Sequence, residues 1–151
     1  MSNKGLISKA ATTINAPVGR VWDALTTPEI IKEFMFGTET VSEWRKGSPI
    51  VWEGVWKGKP YEDKGEILEM TPGRTLQYSH YSPLSGEPDI PANYHTVTYE
   101  LSGEGTETHV VLSQDNNSTP AEVEESAKMW QKILESLKSV VEGQESLSHI
   151  R

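Results

Sequence analysis

The chain has 151 residues, 14 Lys and Arg against 22 Asp and Glu, a formal net charge of −8 and no cysteine. The lack of thiols excludes a disulfide scaffold and a thiolate metal site, and so acidic a surface repels phosphate backbones, which argues against a nucleic-acid partner. The mean hydropathy is −0.52 and no apolar stretch has the length of a membrane span or signal peptide, so we expect a cytoplasmic protein without membrane insertion. This length predicts a single domain over residues 1–151.

The N-terminal segment predicts one strand followed by two short helices. "LISKAATTINA" contains consecutive β-branched residues, which favour extended backbone. Pro17 suits the first turn of a helix because it lacks an amide donor, and apolar residues follow at helical spacing: Val18, Val21, Trp22 and Leu25. Pro28 ends that helix and begins a second one, "PEIIKEF". We expect these two helices to pack in a corner between strands.

The middle of the chain changes to a period of two, which indicates an antiparallel meander. The predicted strands are "TETVSEW", "PIVWEGVW", "YEDKGEILEM", "RTLQYSHY", "YHTVTYEL" and "TETHVVLSQ". In the fourth of these, Leu76, Tyr78 and His80 share one face, so an inward Leu76 would direct the other two inward. Residues 82–93 hold three prolines and a glycine, and we expect a loop or lid there.

The last part of the chain predicts one long amphipathic helix over residues 119–142, ended by Gly143 and followed by a frayed tail. "TPAE" at 119–122 is a capping box with proline in the first turn. The apolar stripe along this helix consists of Val123, Ala127, Trp130, Leu134, Leu137 and Val141, widened by Met129, Ile133 and Val140.

These elements together predict an α+β fold. A sheet with one apolar face needs a cover, and a single long helix can supply it if the sheet curves around that helix. We therefore expect a curved antiparallel sheet of six to seven strands wrapped around the C-terminal helix, with the two short helices after the first strand. A curved sheet does not close tightly against a cylinder, so a gap between the two is expected.

The chain resembles the SRPBCC superfamily, the START-like helix-grip proteins that share the birch-pollen-allergen fold. Within it, the sequence is similar to the branch named for activators of the heat-shock-protein ATPase. The similar phrases occur in family order: "INAPVGRVWDALTTPEIIKEF", "WRKGSPIVWEG", "DKGEILEMTPGRTLQYSHYSPLSG", "VTYEL", "TETHVVLSQDN" and "MWQKILESLKSVVE". The resemblance implies an internal cavity that holds an apolar small molecule in many members. It does not imply a reaction, because members include lipid carriers, hormone receptors, polyketide cyclases and co-chaperone domains.

The predicted ligand site lies on the inner face of the sheet and on the helix opposite. Its expected members are Trp52, Trp56, Tyr78, His80, Tyr99, Met129, Trp130 and Ile133. His80 would be the polar contact in an aromatic cavity, where the family pattern more often has an aromatic ring. The alternative is that His80 and Tyr78 are ordinary core residues whose hydrogen bonds are satisfied within the protein.

Asp63 shares a strand face with Gly65 and Ile67, which the resemblance directs inward. It is either an acid or base near the cavity mouth, or a carboxylate at a solvated strand end, or a partner for Arg74. The four histidines lack metal-ligand spacing, and no serine lies in a nucleophile elbow, so we expect neither a metal nor a cofactor.

The favoured function is a cytosolic protein that binds an apolar, aromatic or lipid-like small molecule between sheet and helix. One alternative is an enzyme of the polyketide cyclase/dehydratase type, with His80, Tyr78 or Asp63 as acid or base. The other is a co-chaperone-like module that contacts a protein partner. No catalytic residue is assigned.

Overall fold

A computed structural model of the chain describes residues 6–83 and 86–150, except for the side chains of Trp56 and residues 144–150. Seven strands are present in this part of the chain: β1 (Leu6–Ile14), β2 (Glu39–Ser42), β3 (Pro49–Trp56), β4 (Lys59–Thr71), β5 (Thr75–His80), β6 (His95–Glu104) and β7 (Glu107–Asn117). The helices are α1 (Val18–Thr26), α2 (Pro28–Phe34) and α3 (Pro120–Ile150), and a 3-10 turn covers Pro91–Asn93.

The strands form one antiparallel sheet in the order β1-β7-β6-β5-β4-β3-β2. The meander from β2 to β7 follows chain order, and β1 joins the far edge beside β7. Helix α3 lies against this sheet, and α1 and α2 pack against α3 as well. The predicted α+β helix-grip architecture is therefore confirmed, with seven strands.

The core fills the space between the sheet and α3. Leu76 and Leu112 of the sheet are fully buried, as are Leu134, Leu137 and Val141 on the facing side of the helix. Helix α1 adds Val21, Trp22, Ala24 and Leu25, and α2 adds Ile31 and Phe34. The two short helices thus bury one face each, which confirms their predicted packing role.

Helix α3 begins at the predicted capping box. The Glu122 amide donates to Thr119 Oγ1 at 3.1 Å, and Glu122 Oε1 accepts from the Ser118 amide at 2.7 Å. These bonds satisfy donors at a helix start that have no partner within the helix.

Three sequence predictions are wrong in detail. The first strand of the meander ends at Ser42 because Trp44 adopts φ 57°, which no strand allows. Helix α3 continues through Gly143 to Ile150, since one glycine in a helix costs only about 1 kcal/mol. Met129 is 46% exposed, because it lies one residue from Trp130 and so about a quarter-turn away from the buried stripe.

No helix in the described ranges is long and apolar enough to cross a membrane.

Candidate functional site

A small interior cavity of about 70 Å³ lies between β3, β4, β5, the segment after α2, and α3. Its walls are Met35, Thr38, Trp52, Tyr61, Asp63, Tyr78, His80 and Trp130, and we call this space the aromatic pocket. A second void of about 10 Å³ shares Met35, Trp52 and Tyr78 with it and extends to Tyr99. The interior is therefore nearly filled by side chains.

The aromatic rings of the pocket form a continuous contact chain. Trp52 and Tyr78 have ring centroids 4.9 Å apart, Tyr78 and Tyr99 are 6.3 Å apart, and Tyr99 meets Trp130 edge-on at 6.4 Å. Trp52, Tyr78, Tyr99 and Trp130 are all at most 6% exposed. Such tilted and edge-to-face contacts are favourable for aromatic pairs and hold the rings in place.

Strand register brings Asp63 into this aromatic wall. Trp52 of β3 stands directly opposite Asp63 of β4, and directly opposed residues on antiparallel strands share a sheet face. Beyond a bulge in β4, the Lys64–Tyr81 bridge sets His80 diagonal to Asp63. His80 Nε2 lies 2.9 Å from Asp63 Oδ2, and the His80 ring is 5.1 Å from Trp52. The His80 and Asp63 side chains are 29% and 15% exposed.

Two glycines permit this arrangement because a side chain at either position would collide with a neighbour. At Gly65, a Cβ atom would overlap the Ser79 carbonyl oxygen, so β4 and β5 could not approach as they do. At Gly54, a Cβ atom would lie 2.6 Å from the hydroxyl oxygen of Tyr61, whose ring covers this glycine. Because Gly54 has no side chain, the Tyr61 ring can lie over it and form one side of the pocket.

Most oxygens in the pocket wall are already paired. The Tyr61 hydroxyl lies 3.0 Å from Thr38 Oγ1, which donates to the Met35 carbonyl at 2.9 Å. Together these bonds connect the strands to the segment after α2.

One acceptor in the wall is left over. Asp63 Oδ1 is buried and accepts no hydrogen bond from any residue in the described ranges. Its sister oxygen Oδ2 is taken by His80. A buried acceptor without a donor is costly, so this atom is the one place in the wall that favours a polar ligand group.

Burial determines the protonation state of the two tyrosines at the inner end of the pocket, Tyr78 and Tyr99. Desolvation raises the pKa of Tyr78 well above its usual value, and the neighbouring Tyr99 raises it further. The pKa of Tyr99 is likewise raised by burial. Both hydroxyls therefore remain neutral at physiological pH and serve as walls and hydrogen-bonding groups.

The structure brings together four of the predicted site residues: Trp52, Tyr78, His80 and Trp130 all line the aromatic pocket. Tyr99 lines the adjoining void, and Ile133 is buried in the core. Met129 instead lies in an open groove of about 670 Å³ on the outside, among Asn, Gln, Ser and Glu side chains. The Trp56 side chain lies outside the described part of the structure.

The structure also identifies the polar partners of two predicted residues. Asp63 pairs with His80 and not with Arg74, and the partner of His80 is this carboxylate. Sequence reasoning missed Tyr61, although alternation along β4 places it on the same face as Asp63 and Ile67. Met35 and Thr38 lie in a loop without periodicity, so no pattern could have identified them.

No three His, Asp or Glu side chains in the described ranges are grouped closely enough to hold a metal ion.

Residues 15–142 match the family model described as activator of Hsp90 ATPase homolog 1-like protein. The chain belongs to this family. A solved structure, that of ChR145 from Cytophaga hutchinsonii, is 53% identical in sequence with a TM-score of 0.83. The alignment covers 97% of this chain and 99% of ChR145. A comparison with the curated proteins found no significant match.

Other solved members of this fold are more distant. CalU16 from Micromonospora echinospora is 22% identical with a TM-score of 0.67, and the alignment covers 95% of this chain and 86% of CalU16. The Aha1 dimer from Colwellia psychrerythraea is 18% identical with a TM-score of 0.69, over 90% of this chain and 96% of that one. At these identities the similarity shows the helix-grip fold alone.

Proposed function

We propose that this protein binds a small, mostly apolar molecule in the aromatic pocket and holds one polar group of that molecule at Asp63 and His80. The observation that carries this proposal is the unpaired Asp63 Oδ1 in a wall made mostly of aromatic rings. Binding sites of this type combine apolar walls with a few convergent polar groups.

The volume of the aromatic pocket limits the size of the ligand. Drug-sized ligands occupy pockets of about 300–1,000 Å³, whereas the aromatic pocket offers about 70 Å³. A small molecule or one head group fits that space, and a lipid-like chain would require the walls to move apart. The geometry therefore favours a small ligand over the lipid-like ligand also considered above.

The test is to fill the pocket. Met35→Trp replaces a linear side chain in the pocket wall with a bulky indole ring. Met129→Trp makes the same change at an exposed position. Binding of 1-propanol and propylamine is followed through the indole N–H signals of Trp52 and Trp130 by NMR. We expect wild type and Met129→Trp to respond and Met35→Trp to lose at least tenfold in affinity. Equal binding by both variants, or no response of wild type to any small probe, would overturn the proposal.

Acid–base catalysis is a second candidate, favoured by the His80–Asp63 pair at 2.9 Å inside the pocket. A carboxylate that holds one imidazole nitrogen orients the ring for proton transfer. Under this hypothesis, His80→Gln abolishes turnover of a bound substrate while its affinity persists. A pH–rate profile that is unchanged in His80→Gln would exclude it. The protein-partner hypothesis stays a prediction.

A further inference from the structure

The aromatic pocket selects among small ligands through Asp63 Oδ1, the buried side-chain oxygen in its described wall that lacks a hydrogen-bond donor. The oxygens of Thr38 and Tyr61 are engaged within the protein. Asp63 Oδ2 is engaged by His80, and Oδ1 is buried without a donor. A carboxylate oxygen only accepts hydrogen bonds, so the complementary ligand group is a donor, and a charged donor gains the most.

The walls add a second preference for positive charge. Four aromatic side chains of Trp and Tyr type surround the space beside Asp63: Trp52, Tyr61, Tyr78 and Trp130. The faces of such rings attract cations, and this attraction increases when the cation leaves water. The Trp130 indole is held by a 2.7 Å bond from its Nε1 to Gln114 Oε1, so the ring does not have to be ordered when a ligand enters.

Size sets the third condition. A cavity of about 70 Å³ is roughly twice the volume that one water molecule occupies in the liquid. It accommodates an ammonium group with its adjacent carbons and excludes a guanidinium-bearing side chain or a ring system. The net charge of −8 also concentrates cations near the protein.

We propose that the aromatic pocket binds an alkylammonium head group, the protonated form of a small primary, secondary or tertiary amine. Its N–H donates to Asp63 Oδ1, and its carbons contact Trp52 and Tyr78. This inference rests on the proposed function, because it names the ligand class of the same pocket.

The experiment compares propylammonium with 1-propanol, a neutral molecule of nearly equal size, at pH 7 and fixed ionic strength. Binding is measured from the indole N–H shifts of Trp52 and Trp130, which also report its location. We expect propylammonium to bind wild type at least tenfold more tightly than 1-propanol, the effect of one charge-assisted hydrogen bond. This ratio is measured on wild type and does not depend on a variant that folds.

Two matched variants test the assignment to Asp63. Asp63→Asn removes the charge with little change in shape, and Glu62→Gln makes the same change on the exposed face of the same strand. We expect Asp63→Asn to abolish the preference for the cation and Glu62→Gln to retain it, with thermal melts confirming that both fold.

The outcomes separate the two proposals. If propanol and propylammonium bind equally, or if Asp63→Asn keeps the preference, the alkylammonium inference is overturned while the proposed binding function stands. If neither of these two molecules shifts the indole signals, both proposals fail.

Discussion

At the scale of single residues, Gly65 determines whether the Asp63–His80 pair can form. A Cβ atom at this position would overlap the Ser79 carbonyl oxygen, which is backbone and cannot rotate away. We expect Gly65→Ala to lower the free energy of unfolding by about 3–5 kcal/mol, or to prevent folding. Gly19→Ala is the control, because its Cβ would meet nothing within 4 Å on helix α1. Urea denaturation measures both, and a Gly65→Ala variant as stable as Gly19→Ala would show that the strands separate at no cost.

At the scale of elements, the stability of the fold depends on the buried stripe of α3. Leu134 is fully buried between this helix and the sheet, so Leu134→Ala removes apolar contacts and leaves a cavity. We expect a loss of about 2–5 kcal/mol in the free energy of unfolding. Met129→Ala, on the exposed side of the same helix, should change it by less than about 0.5 kcal/mol. A loss below about 1 kcal/mol for Leu134→Ala, measured by urea denaturation, would contradict the packing of α3 on the sheet.

At the scale of the whole molecule, Glu142 connects the C-terminal half of α3 to the chain just after β1. Its Oε2 accepts from the Asn15 amide at 2.8 Å and from Lys138 Nζ at 2.7 Å. The Asn15 amide first, and Lys138 second, hold the pKa of this carboxyl below its usual 4.5. A lowered pKa in the folded state stabilises the protein above the unfolded value, and this contribution is lost as the pH falls through the folded value.

Glu142→Gln should therefore lower the free energy of unfolding by about 0.5–1 kcal/mol at pH 7, and the difference from wild type should shrink below pH 4.5. Glu124→Gln, in an exposed pair with Lys128, should have little effect at either pH. Thermal melts at pH 7 and pH 3.5 measure both variants. An equal loss of stability at the two pH values would show that the charge of Glu142 does not contribute to the contact between α3 and the chain after β1.

The architecture could be predicted from the sequence alone, because the spacing of hydrophobic residues is a local property of the chain. The change from helical spacing around Val21 and Leu25 to alternation around Leu76 and Tyr78, and back to helical spacing along Leu134, specifies the order of elements and their buried faces. The alternation along the strands also predicted that Trp52 and His80 lie on the inner face of the sheet.

The contacts of those inner-face residues could not be predicted in the same way, because they depend on residues far apart in the chain. Asp63 and His80 are 17 residues apart and meet because a bulge and the close approach at Gly65 set the register of β4 on β5. Met35 reaches the same pocket from a loop without periodicity. The pocket volume is likewise the small space that remains after closely packed side chains fill the interior. It therefore depends on how every wall residue is oriented. Alternation can say which face a side chain is on, but register, bulges and loop paths decide which side chains touch.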